Sequence, residues 1–131
     1  MRANNQEITL TLDMAWDLCL NQQWNWIKAQ IEAWPKLSKA RTSDVDIEGL
    51  KDQWCRENGF EDIWVNCFFC EYADQQQLGG RDCDKCPGRL VDPKFHCEQS
   101  EYHFGLNPLA FHAELVRLNN IRLGLKEFGT I

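Results

Sequence analysis

The sequence has no long apolar run. Its uninterrupted apolar stretches are only a few residues, far short of the roughly 20 that a membrane helix needs, so no membrane partner is expected. The opening MRANNQEITL carries neither an apolar h-region nor a small-residue cleavage motif, so no secretory signal is read and a reducing cytoplasm is the expected compartment. An excess of positive charge is also lacking. Fourteen Lys and Arg against 20 Asp and Glu give a net charge of −6, which argues against holding nucleic acid by bulk electrostatics. Four thiolates on one divalent zinc would make the charge still more negative. No Gly-rich phosphate loop, internal repeat or low-complexity segment is found. Histidine is scarce. His96, His103 and His112 come without the convergent polar residues that a metal hydrolase or HNH-type nuclease requires, and they are read as surface or packing residues.

The chain does contain cysteine, in a pattern. Five of its seven cysteines fall in CFFCEYADQQQLGGRDCDKCPGRLVDPKFHC, from Cys67 to Cys97, and four of them form two C-x-x-C pairs. In a reducing compartment such pairs bind metal or do redox work more often than they form stable disulfides. An odd total also suits a disulfide framework poorly. Two residues between ligands let one tight turn present both sulfurs to a tetrahedral zinc. The twelve residues between Cys70 and Cys83 are enough to bring the pairs together. The expected ligands are therefore Cys67, Cys70, Cys83 and Cys86 on one Zn2+, with Cys97 as the alternative ligand. His96 and His103 stand close enough in sequence to replace a pair member. Iron–sulfur ligation is the rival, but the compact ferredoxin spacings do not match. A reactive redox dithiol sits at a helix N-terminus in a βαβ setting, and neither pair is read in that context. Arg81, Lys85 and Arg89 surround the sulfurs and are placed to offset their charge. Cys19 and Cys55 read as small buried hydrophobes.

The rest of the chain predicts an α-rich (α+β) fold: a small helical domain over 1–131 with a zinc-binding loop at about 65–100. A 44% hydrophobic content with six tryptophans suffices for a core. The first helix is expected at about 13–34, capped by Thr11 or Asp13 and ended by Pro35. Trp16, Leu20, Trp24, Ile27, Ile31 and Trp34 make its apolar face. Trp26 points off that face, and the choice there is between a partner anchor and packing under the metal loop. A second helix is expected at about 44–58, capped by Ser43 or Asp44, with Ile47, Leu50 and Trp54 inward and Gly59 as its stop. A third is expected at about 108–119 after the Asn107-Pro108 start, with Leu109, Ala113 and Val116 inward and Phe111 and Leu115 as further candidates. Alternation in EITLTL (7–12) and IRLGL (121–125) predicts a short two-stranded sheet from the termini.

The sequence Trp24-x-Trp26-Ile27, then Cys67-x-x-Cys70-Glu71-Tyr72, then Cys83-x-x-Cys86-Pro87, then Cys97, resembles a layout found in small cysteine-containing proteins encoded by phages and prophages. The similarity spans roughly residues 8 to 120. It implies a zinc-binding accessory protein acting in the host cytoplasm on a host or phage protein, and it brings no catalytic residues. The expected function is that of a non-enzymatic, zinc-stabilised protein-binding factor. The alternative is a zinc-finger-type nucleic-acid binder using Lys36, Lys39 and Arg41, or Arg81, Lys85 and Arg89, as a local patch; a metal-dependent nuclease ranks last.

Overall fold

Two asparagines make the first turn. Asn4 and Asn5 both adopt positive φ, 52° and 68°, the mirror-image turn that matches strand twist, and Asn tolerates that region better than most residues. In this computed structural model, which describes residues 1–33, 46–76 and 83–127, the turn joins β1 (Arg2–Ala3) to β2 (Gln6–Glu7). β1 pairs on its other edge with β3 (Phe60–Glu61), so the antiparallel sheet has the order β2-β1-β3, with Arg2 opposite both Glu7 and Glu61. Gly59 leads into β3 at φ 78°, and a Cβ there would meet Asn4 Oδ1 at 2.3 Å; only glycine fits.

The sheet departs from expectation. Only Glu7 of EITLTL is in a strand, and IRLGL is helical. Leu118 and Arg122 extend the buried face of the last helix, so periodicity of 3.6 wins over the short alternation, and Phe60–Glu61 takes the strand partnership instead.

Thr11 accepts a hydrogen bond from the Met14 N–H and starts α1 (Leu12–Trp16). The helix continues through a π-helical stretch, Asp17–Trp24, into α2 (Asn25–Ala33). Its inward residues include Trp16, Trp24, Ile27 and Ile31, as expected. The wider π turns also bury Cys19 and Gln23. Asp46 caps α3 (Ile47–Glu57) through the Gly49 N–H. The cysteine region is less loop-like than expected: α4 (Phe68–Gln76), a 3-10 turn (Cys83–Lys85) and α5 (Pro87–Val91) occupy much of it. α6 (Pro108–Glu127) runs well past 119. Its buried residues are Phe111, His112, Leu115, Leu118 and Arg122, while Ala113 and Val116 face out and Leu109 is half-buried. The apolar stripe is thus rotated from the expected one.

Aromatic contacts join these elements. Trp16 meets Phe69 edge-on at 4.7 Å, Trp24 packs on Phe111 at 4.8 Å, and Trp54 stacks on Phe60 at 5.6 Å. Such pairs add to what burial alone contributes. Trp26 is half-buried against the same core. α4 is held to the N-terminal segment twice: the Met1 ammonium lies 3.1 Å from the buried Glu71 carboxylate, and the Gln75 side chain bridges the Leu10 N–H and the Ile8 carbonyl. No helix among the described residues is long and apolar enough to cross a membrane. Trp34, Pro35, Lys36, Lys39, Arg41, Ser43, Asp44, Gly79, Gly80 and Arg81 lie outside the described residues.

Candidate metal centre

Three segments carry the five clustered cysteines. The first enters through a 3-10 turn, Trp64–Asn66, in which Val65 and Asn66 both take positive φ, 47° and 54°. That conformation is costly for a β-branched residue, and it turns the chain sharply at Cys67. The Cys67 carbonyl then accepts the Glu71 N–H at 2.9 Å, so Cys67 stands at the head of α4 and Cys70 lies in its first turn. The second segment repeats the device. The Cys86 N–H donates to the Cys83 carbonyl at 3.1 Å, and the Cys86 carbonyl accepts the Leu90 N–H at 3.0 Å. Cys86 is therefore the N-cap of α5, with Pro87 in the first turn, where a missing N–H costs nothing. The third segment presents Cys97, whose carbonyl accepts the Phe104 N–H at 3.0 Å.

Both pairs thus abut helix N-termini, though not in the βαβ setting of a redox dithiol, since the sheet of the described residues is antiparallel. The consequence is local: backbone N–H groups point at sulfur. The Cys67 thiol is drawn toward thiolate foremost by a hydrogen bond from Cys70, then against its own burial by the Lys51 ammonium and the Cys70 and Phe69 N–H groups. Cys86 is pushed up to about 12 by burial and by the neighbouring Cys67, although the Gly88 and Arg89 N–H groups pull the other way. Burial pushes Cys97 up to about 11, again with Cys67 adding to it. These sulfurs feel one another's charge, and one thiolate makes the next harder to form without a cation.

All five, Cys67, Cys70, Cys83, Cys86 and Cys97, border a single cavity of about 370 Å³. Its wall also includes Cys19, Lys51, Arg89, His96 and Phe104. None of the seven cysteines forms a disulfide. Among the described residues no group of three or more His, Cys, Asp or Glu side chains stands in the arrangement that would hold a metal ion; the thiols share a cavity without converging on a point. The donor set is soft sulfur, the ligand type zinc prefers, and one of the five is already drawn toward its ligating form.

The other expected residues sort clearly. His96 borders the cavity, but its Nδ1 accepts the Glu98 N–H at 3.1 Å. His103 Nδ1 accepts from Gly105 and Leu106 and shapes a loop. His112 is buried, and its Nε2 lies 2.7 Å from Asn25 Oδ1. Lys85 is exposed, and Arg89 donates to the Pro93 carbonyl at 2.9 and 3.2 Å. Trp26 does not border the cavity.

Cys19 and Lys51 are among the wall residues absent from the sequence reading of the site. Cys19, buried as expected, reaches the cavity from the π segment; no spacing rule links it to residues almost fifty positions away. Lys51 comes from α3 and is 6% exposed. A signal for it existed: Ile47, Lys51, Trp54 and Cys55 follow helical steps of four, three and one, which puts the lysine on the buried face. No family model, no curated protein and no solved structure matches this chain.

Proposed function

We propose that the protein is a non-enzymatic, zinc-stabilised binding factor whose cysteine region is ordered by one Zn2+. The observation that carries this reading is the meeting of five thiols from three separate segments around one cavity. Zinc would draw four of them inward, with Cys67, Cys70, Cys83 and Cys86 as the set and Cys97 as the alternative ligand. A closed four-sulfur site leaves no position for water or substrate, so it supplies folding energy rather than catalysis. The function then lies on the surface, and a protein partner fits a chain of net charge −6 better than nucleic acid does. The accessory role implied by the phage-type layout agrees with this reading.

Elemental analysis of purified protein tests it, with about one zinc per chain as the expected result for a four-ligand site. Cys70→Ser and Cys83→Ser should each lower metal content, since a hard hydroxyl is a poor zinc ligand. Cys97→Ser should leave zinc and thermal stability close to wild type if Cys97 is spare, and should abolish both if it is the fourth ligand. Iron with a visible charge-transfer band would overturn the zinc assignment.

The placement of Cys67 at the head of α4 favours a second reading, a redox dithiol with Cys70. Under that reading the as-isolated protein holds no zinc, and Cys67 reacts with alkylating reagents far faster than the other thiols.

A further inference from the structure

The buried cation beside the thiols points to the charge of the centre. Lys51 is 6% exposed and borders the cavity with all five clustered cysteines. Its Nζ sits 4.9 Å from the centroid of the Phe104 ring, and among the described residues no carboxylate forms an ion pair with it. A buried ammonium without a carboxylate in ion-pair contact is disfavoured, and one aromatic face is a partial compensation. Phe104 is itself tied to the Cys97 carbonyl, so the lysine and its ring partner close the same wall as the fifth sulfur.

We propose that Lys51 is the built-in counter-ion of an anionic metal–thiolate centre in this cavity. The inference rests on the zinc reading above and deepens it by fixing the sign of the ligand set's charge. Zinc on four thiolates is a dianion and on three thiolates and one imidazole a monoanion, whereas on two thiolates and two imidazoles it is neutral; a buried cation suits the thiolate-rich sets. Lys51 is in this sense a positioning residue for charge, acting through the sulfurs rather than on the metal.

The test is a zinc competition titration against a chromophoric chelator, run on wild type, Lys51→Met and Lys51→Arg, with the thermal stability of each metal-free protein measured in parallel. Methionine keeps the apolar stem and removes the charge. Lys51→Met should bind zinc roughly tenfold or more weakly, a cautious share of what two charges exchange at contact distance near a protein surface. Its metal-free form should melt at the same temperature as wild type or higher, because a buried unpaired charge is gone. Lys51→Arg should bind close to wild type. Unchanged affinity in Lys51→Met overturns the proposal, and so does a parallel fall of affinity and metal-free stability, which marks a packing role. A wild-type protein that takes up no zinc defeats the underlying site reading instead, and the two failures are thereby distinguishable.

Discussion

Single residues show both what the sequence could tell and where it fell silent. The C-x-x-C spacing, which a tetrahedral zinc would require, marked out the clustered cysteines, and those five thiols border one cavity. Lys51 was not legible as a site residue, because its role depends on which way α3 is rotated against α4, and charge on a helix is usually solvated. His112 was read as a surface or packing residue, and it is buried: burial first, then the Lys28 charge, lowers its pKa below the ordinary value, while Glu32 opposes them. The sign follows from proton counting. The unfolded chain binds this proton more readily than the folded one, so the stabilising contribution is present above the unfolded pKa, near 6.5, and is lost as the pH falls below it. His112→Gln should flatten that part of the acid dependence. Melting curves between pH 5 and pH 7.5, on wild type and variant in the presence of chelator, check it; parallel curves would contradict the assignment.

Elements were legible where apolar periodicity was long, and not where it was short. The run from Trp16 to Ile31 specified one helical face, and the structure buries it. The π stretch inside it was invisible, since an inserted residue leaves no mark on composition. It turns Gln23 inward, where its amide donates to the Asn66 carbonyl at 3.0 Å, just ahead of Cys67. The five-residue alternation in IRLGL carried too little signal to compete with twenty residues of helix. Trp24 makes the element-scale prediction. It is 2% exposed, packs on Phe111 and also borders the cysteine cavity. Trp24→Ala should cost about 3–5 kcal/mol, as truncation of a buried aromatic does. Urea unfolding monitored by far-ultraviolet circular dichroism measures it, and an unchanged midpoint would place the ring outside the core.

At the scale of the molecule, two kinds of cohesion divide the chain. Trp16, Ile27, Phe111, Leu115 and Leu118 knit α1, α2 and α6 chiefly by apolar contact, with the Arg122–Asp13 and His112–Asn25 contacts beside it, whereas the short α5 and the turn before it have little apolar burial of their own. Removing the metal should therefore loosen the second region and spare the first. Chelator treatment is expected to lower the melting temperature and to abolish amide-exchange protection at Cys83–Val91 while α2 and α6 keep theirs; uniform loss of protection would mean that the whole fold depends on the ion.

The clasp between the chain's far ends has a consequence in time. Arg122 bonds Asp13 at 2.7 Å and lies over the Trp16 ring, and Phe111 covers Trp24. Trp24 cannot gain its Phe111 cover until the last helix has been synthesised. At ordinary elongation rates of about 5–20 residues per second, the ninety-odd residues from α2 to the end of α6 take roughly 5–20 s. During that interval Trp24 waits for its Phe111 cover, and both cysteine pairs are synthesised before α6 begins. On the zinc reading proposed above, the thiols would be accessible to the ion before Phe111 closes over Trp24.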